Sequence, residues 1–201
     1  MPSEQFHEVW NSFKNGSWIS YRQLYDDHYR ALNNYGYKFT RDISLIEDSI
    51  HDLFVKLWTN RSSLGNPPPS IRNYLYKALR NILFRKLKLH SRFAFLDDDN
   101  YAYTFEVSCD SQLMEDEEEK LLRERIKEIL EKLPARQKEI VYLRFYEGLS
   151  YDEVADVMSI DIHSVYKLWY KAIENLKDSL HYLLCWAMVC MAAKASTSEI
   201  V

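Results

Sequence analysis

Glycine and proline are scarce, 4 and 5 among 201 residues, where average usage of roughly 7% and 5% would supply about 14 and 10. So few turn formers exclude a β-sandwich or barrel and favour helices. No G-x-x-x-x-G-K or G-x-G-x-x-G stretch is present, which removes the glycine-rich nucleotide folds. The three cysteines, at 109, 185 and 190, lack a paired spacing. Neither a disulfide framework nor a zinc site is expected. The opening MPSEQFHEVW has no basic start and no apolar core, so it does not read as a secretory signal. The longest apolar run is the twelve residues 182–193, short of the about 20 that a membrane span takes.

What is present is ordinary for a globular chain: 47% hydrophobic and 28% charged residues. A chain of this length folds as one or two domains and buries roughly two-thirds of its surface. The net charge of −4 conceals a strong segregation. Residues 1–96 carry 14 bases against 8 acids, residues 97–119 carry 10 acids and no base, and residues 120–201 carry 12 of each. A basic half is thus joined to a neutral half by an acidic segment. Affinity for nucleic acid follows the local patch and not the total.

The sharpest asymmetry is residues 70–92, with seven bases and no acid. Ile71, Tyr74, Leu75, Ala78, Leu79, Ile82, Leu83 and Leu87 recur there at helical spacing. The spacing predicts a helix capped by Ser70, with one buried stripe and the bases mostly toward solvent. Other runs read as helices too. Residues 4–14 are broken by Asn15-Gly16, and residues 18–35 end at Gly36. Residues 44–60 open on Ser44-x-x-Glu47, a capping box pattern. Their apolar side holds Ile46, Ile50, Leu53, Phe54, Leu57 and Trp58, and their outer face shows Glu47, Asp48, His51, Asp52 and Lys56. His51 beside Asp48 or Asp52 lacks the inward-facing partners a metal would need, and the acidic segment lacks the alternating ligands and turn glycine of a calcium loop. No metal and no cofactor is expected. Residues 96–119, without a sustained apolar period, read as a linker.

The second half predicts helices over 118–133 and 135–147, with Gly148 as a terminating residue. Ser150-x-x-Glu153 starts a short helix, Ser159-Ile160-Asp161-Ile162 is a tight turn, and a longer helix follows, capped by Asp161. Short helix, turn and longer helix make a helix-turn-helix. In that motif the second helix lies in the major groove with its first residues at base edges. Here these are His163, Ser164, Tyr166, Lys167, Tyr170 and Lys171.

These motifs carry a resemblance. Leu133-Pro134-Ala135-Arg136-Gln137 through Glu147-Gly148-Leu149-Ser150 and Glu153-Val154-Ala155, continued by Ser164-Val165-Tyr166-Lys167, resembles region four of bacterial sigma factors. Ile46-Glu47-Asp48 with Phe54-x-x-x-Trp58 resembles the polymerase-binding helix of region two. Arg72-x-Tyr74-Leu75-Tyr76-Lys77-x-x-Arg80-Asn81 resembles its promoter-melting helix. Two such matches in order, with a linker between, resemble the extracytoplasmic-function group of the sigma-70 family. Departures stand at Tyr74 (usually Trp), His51 (often Gln), Ser159 (usually Gly) and Leu168 (often Arg).

The resemblance implies an all-α chain of two small helical domains: region two over 1–95, the acidic linker over 96–119, region four over 120–180, and an apolar tail over 181–201. It implies a cytoplasmic factor that binds core RNA polymerase and promoter DNA and catalyses nothing. No small-molecule substrate is implied, and an anti-sigma factor is left open as a third partner. Glu47, Asp48, His51, Asp52 and Lys56 would face polymerase. Arg72, Tyr74, Tyr76, Lys77, Arg80 and Asn81 would meet the melted strand, with the loop from Arg61 to Pro69 helping to form a base pocket and Arg80 exposed on phosphate. A helix-turn-helix regulator that is not a polymerase subunit is the alternative; it predicts a ligand or phospho-acceptor domain in residues 1–96, which show helices and a basic face instead. A nuclease built on the acidic run would need acids converging in a folded site. The tail could cover the helix-turn-helix core, hold an anti-sigma protein, or touch a membrane.

Overall fold

A computed structural model describes residues 3–90, 101–104 and 117–177. All of its regular elements are helical. In chain order they are α1 (Ser3–Lys14), α2 (Trp18–Gly36), α3 (Ile43–Thr59), α4 (Ile71–His90), α5 (Glu117–Glu131), α6 (Ala135–Val141), α7 (Tyr151–Met158) and α8, residues 162–177. A 3-10 turn, Arg61–Ser63, follows α3, and a π-helical turn, Tyr142–Tyr146, extends α6.

The first four helices pack into one bundle around Trp10, Phe13, Leu24, Leu32, Ile46, Ile50, Leu53, Phe54, Leu75, Leu79 and Leu83, all buried. Aromatic side chains tie its ends: Trp10 lies edge-on to Tyr74, and Tyr21 packs on Phe13, Phe54 and Trp58. Gly36 ends α2 as its position suggests, but without the positive φ that Gly16 and Gly148 adopt. It is the buried last residue of α2, where a Cβ would sit 2.6 Å from Cγ2 of Ile46. Its lack of a side chain lets α2 approach α3 closely.

The caps are partly as expected. Ser70 Oγ accepts from Asn73 N–H at 3.3 Å. Ser150 and Glu153 form the reciprocal box, at 3.2 and 2.7 Å. The box expected at Ser44 and Glu47 does not form. Asp42, two residues earlier, takes the capping position and accepts from Leu45 N–H at 3.0 Å. Its carboxylate is as good a cap as a serine hydroxyl, and Ser44 then lies inside the first turn.

In the second half α6, the π turn, α7 and α8 enclose Ile140, Leu143, Leu149, Val154, Val157, Val165 and Ala172. Gly148, at φ +65°, follows the π turn and supplies the left-handed residue that ends this run. Asn175 of α8 donates to Gln137 of α6 at 2.8 Å. The tail 181–201 and most of the acidic linker lie outside the described residues.

Candidate nucleic-acid interface

The bases of α4 are not arrayed along one solvent face. The helix is buried on two sides, and its motif residues divide between them. Arg72, Tyr76 and Arg80 recur every fourth residue, with Asn73 and Lys77 beside them, on a stripe that faces the second half of the chain. Tyr74, Ala78, Asn81 and Arg85 line a different surface, a cleft of ≈ 270 Å³ closed by Leu53, Leu57 and Leu64. Residues 70–92 contain no acid. The acids that meet their bases come from α6, the residue after the π turn and α7, and one, Asp52, from α3.

Glu139 is the centre of this contact. Its side chain is fully buried and receives both Nε and Nη2 of Arg80, at 2.8 and 3.2 Å. Tyr35 of α2 donates to the same carboxylate at 2.6 Å, and Tyr101 donates to its other oxygen. Arg80, expected on the surface, is 5% exposed. The reason for the difference is tertiary: the guanidinium satisfies a carboxylate seated 59 residues away, and helical periodicity cannot register such a partner. Burial works against the Arg80 charge, yet the facing Glu139 outweighs it and holds the guanidinium pKa above its ordinary value. Burial first, and then Glu139, push the Tyr35 and Tyr101 hydroxyls upward. Arg80 also lies over the Phe84 ring, 4.3 Å from its centroid.

Around this centre sit weaker, wetter contacts. Arg72 donates to the Glu147 carbonyl at 2.6 Å and pairs with its carboxylate at 3.6 Å. Tyr76 and Tyr142 donate to the two oxygens of Glu147, each at 2.7 Å. The π turn makes this possible, because its wider loop aligns Glu147 N–H with the Tyr142 carbonyl at 3.2 Å and brings the two side chains together. Burial, then Glu147, raise the pKa of both tyrosines. Asn73 donates to Glu153 at 2.6 Å, and Lys77 meets Asp156 at 2.6 Å. Glu153 therefore both caps α7 and binds α4. Burial opposes its charge, but hydrogen bonds from the Ser150 backbone and from Asn73 leave its pKa lowered.

Part of the acidic segment joins this cluster. Tyr101 and Tyr103 are buried against Phe39, and Thr104 N–H donates to the Lys38 carbonyl at 2.8 Å. Tyr101 is thus a member of the buried cluster that a compositional reading of residues 96–119 passes over. Its only signal is a pair of tyrosines, at i and i+2, inside a polar run. Glu139, Glu147 and Asp156 carry no signal of their role, since each stands in an ordinary amphipathic pattern.

The other surfaces are open. On α8, His163, Tyr166, Lys167, Tyr170 and Lys171 are exposed, with Tyr170 at 73%. Ser164 is occupied: its N–H and hydroxyl both donate to Asp161, at 3.0 and 2.5 Å. Those bonds lower the Asp161 pKa and make Ser164 part of the helix cap. On α3, Glu47, Asp48, His51 and Lys56 are exposed beside the apolar Val55. Asp52, grouped with them from the sequence, pairs with Lys86 of α4 at 2.7 Å. The Lys86 hydrogen bond lowers its pKa. Among the described residues no group of three His, Cys, Asp or Glu could hold a metal ion, and no helix is long and apolar enough to cross a membrane.

Comparison with known proteins places both halves. Residues 24–93 match the family model described as Sigma-70 region 2, and residues 123–176 match Sigma-70, region 4. The chain is 23% identical over 154 residues to RNA polymerase sigma factor SigV of Bacillus subtilis (strain 168), covering 77% of this chain and 84% of that protein. It is 24% identical over 165 residues to RNA polymerase sigma factor YlaC of the same organism, covering 80% and 92%. Its fold is similar to that of CnrH, solved in complex with the cytosolic domain of CnrY, with a TM-score of 0.60 at 20% identity, over 89% of this chain and 99% of that one. The sigma factor RpoE from Bartonella quintana, solved with the anti-sigma factor NepR, is similar over 80% of this chain and 96% of that one, with a TM-score of 0.57 at 19% identity. Two models of one family, in their order along a single all-helical chain, cover more than half of it, and with the sigma factor relatives they show that the chain belongs to the sigma-70 family of RNA polymerase sigma factors, in its extracytoplasmic-function group.

Proposed function

We propose that the arrangement described above is the closed form of this sigma factor, and that its parts divide the work of initiation as follows. Residues 1–95 dock on core polymerase and hold the melted strand, and residues 120–180 read the upstream promoter element as duplex. The exposed α3 face, Glu47, Asp48, His51 and Lys56 with Val55, is the polymerase-docking surface. Asp52 serves α4 instead, through Lys86. On α8, His163, Tyr166, Lys167, Tyr170 and Lys171 face the major groove, and Ser164 sets the helix start. Tyr74, Asn81 and Arg85 around the α4 cleft supply an aromatic face, an amide and a base. An unstacked nucleotide needs those elements, and each base stacked on an aromatic ring contributes about 1–3 kcal/mol.

The observation that carries the closed-form reading is the Glu139 cluster. Arg72, Tyr76, Lys77 and Arg80 hold places of the strand-capturing motif, yet each is bonded to a group in the second half. A phosphate strand and the carboxylates of Glu139, Glu147 and Asp156 compete for the same cations. Strand capture along this stripe therefore requires the halves to part. Core polymerase, by taking the two halves at separate sites, supplies the free energy for that. The chain acts in the cytoplasm and binds without catalysing a covalent change. An anti-sigma protein, such as the one solved with RpoE, is the partner suited to hold the halves together.

The test has two arms. The purified chain should co-elute with core polymerase and yield promoter-specific transcripts; failure of both removes the assignment of parts. Glu147→Gln, Glu153→Gln and Asp156→Asn together keep side-chain size and the α7 capping box but remove the peripheral charge pairs. This variant should bind single-stranded downstream promoter DNA about tenfold more tightly, equivalent to ~1.4 kcal/mol, and core polymerase no less tightly than the wild type, because less binding free energy is spent in parting the halves. Equal affinity for the strand would show that the clasp does not compete with DNA.

A further inference from the structure

The contact between the two halves has a third part that belongs to neither. Residues 101–104 fall between the two family matches, the first ending at 93 and the second starting at 123. Tyr101 stacks on Phe39 at 5.8 Å and meets Phe84 edge-on at 4.8 Å, while its hydroxyl donates to Glu139 of α6. Tyr103 meets Phe39 edge-on at 5.1 Å, and Thr104 N–H donates to the Lys38 carbonyl at 2.8 Å. Ala102 is exposed and the tyrosines on either side of it are buried, the alternation of an extended chain laid across a surface. The segment is therefore a strap, packed on Phe39 and Phe84 of the region-two half and bonded to Glu139 of the region-four half.

Two features suit this strap to controlled release. The first is an incomplete hold. The Tyr103 hydroxyl is buried and finds no hydrogen-bond partner among the described residues. An unpaired buried hydroxyl opposes the seated position, whereas the Tyr101 hydroxyl, donating to a carboxylate, favours it. The second is what the strap covers. The Arg80 guanidinium lies 5.9 Å from the Tyr101 ring centroid, so moving α6 away alone would leave Arg80 beneath Tyr101. We propose, resting on the closed form inferred above, that residues 101–104 are an autoinhibitory strap whose withdrawal and the parting of the halves are one event. Seated, the strap screens the Arg80–Glu139 pair from water and from phosphate. Withdrawn, it takes a donor from Glu139, admits water to the pair and uncovers Arg80 for a strand.

Thr104 supplies the test, because its N–H is bonded to Lys38 only while the strap is seated. Hydrogen exchange at Thr104, followed by NMR in the full chain, reads strap withdrawal. Affinity for single-stranded downstream promoter DNA reads the open population. The Glu147→Gln, Glu153→Gln, Asp156→Asn variant changes no strap residue. It should accelerate Thr104 exchange by the same factor, about tenfold, by which it raises strand affinity. Tyr103→Phe, which removes the unpaired hydroxyl and keeps the ring, should slow that exchange and weaken strand binding several-fold. Tyr101→Phe should do the reverse, although the two substitutions are chemically identical. Unchanged Thr104 exchange in a charge variant that does gain strand affinity would overturn the strap and leave the closed form standing. Strand binding unmoved or tightened by Tyr103→Phe would overturn the strap too. No gain in strand affinity by the charge variant would remove the closed form itself, and the strap with it.

Discussion

The chain carries two basic helical surfaces of different availability. On α8, Lys167 and Lys171 are exposed, and among the described residues no acid is placed against them across a domain contact. On α4, Arg72, Lys77 and Arg80 each meet an acid from the other half, and the innermost, Arg80, is buried. Charge composition makes these surfaces look alike, with α4 the more basic. What separates them is where the acids of α6 and α7 point. A run of bases without acids on its own helix is therefore compatible with two ends, nucleic acid or a partner element of the same chain, and the proposed closed form assigns this stripe to both in turn.

The largest break in this comparison is expected at Glu139. Glu139→Ala leaves the Arg80 charge buried without its counter-ion and takes the acceptor from two tyrosines. Removing one partner of a buried ion pair costs about 3–5 kcal/mol. Glu139→Gln keeps an acceptor and should lose less, on the order of 1–3 kcal/mol. Urea unfolding of both variants measures the difference. Near-identical stability of wild type and Glu139→Ala would mean that the halves are apart in solution. Surface pairs such as Lys77 with Asp156 should contribute at most ~1 kcal/mol each, so Lys77→Ala is the matching control.

That buried pair also marks where the sequence stops being legible. The helices, the helix-turn-helix, the Ser70 and Ser150 caps and the turn at Gly148 follow from local periodicity and local hydrogen bonding, and they are found in place. Gly36 and Ser44 were readable only as local signals, whereas their roles depend on Ile46 of a neighbouring helix and on a competing cap at Asp42. Arg80 fails for a stronger reason. A 3.6-residue period describes one buried stripe per helix, and α4 has two. The second is completed by Glu139 and Tyr101, whose distance along the chain leaves no trace in the pattern around Arg80. On α8 the exposure of His163, Tyr166, Lys167, Tyr170 and Lys171 follows from local spacing, because exposure needs no partner, whereas Ser164 is taken by the Asp161 cap.

A second way to separate the two surfaces is alkaline pH. Tyr35, Tyr76, Tyr101 and Tyr142 have pKa values raised by burial and by the facing carboxylates. The folded chain keeps these protons where the unfolded chain releases them, above the ordinary tyrosine value of about 10. Their contribution is thus complete below pH ~10 and is lost as the pH rises above it. Phenolate absorbance should show these tyrosines titrating late and together with loss of fold. Simultaneous, reversible ionisation of all of them near pH 10 would contradict a closed cluster.

A smaller effect is expected at α8. Replacing Lys167 and Lys171 by Ala should weaken upstream duplex binding and leave the Glu139 cluster untouched. Each lost phosphate contact should reduce the slope of log affinity against log salt by about 0.9. Binding of this helix-turn-helix half to duplex, measured by fluorescence anisotropy across a salt series, gives both quantities. An unchanged slope with both lysines gone would move the duplex-binding surface off α8. The same substitutions should have no measurable effect on urea unfolding, in contrast to Glu139.

The least expected change, and the only one that should stabilise, is at the turn between α7 and α8. Ser159 holds φ +54° and ψ +44°, the left-handed region, as the residue that closes α7. It is the one non-glycine residue with positive φ among the described residues. An L-residue there carries a Cβ against the following carbonyl, at a cost of roughly 1–2 kcal/mol, while glycine pays part of that back as extra freedom in the unfolded chain. The net gain from Ser159→Gly is therefore about 0.5–1 kcal/mol. Ser159 is exposed, and none of its side-chain contacts holds the turn: its own N–H bonds to Asp156, and Ile160 N–H to Ala155, through backbone alone. A rise of a few degrees in melting temperature, with duplex affinity unchanged, is the expected result. A fall would show that the Ser159 hydroxyl, and not the backbone, fixes the angle between α7 and α8.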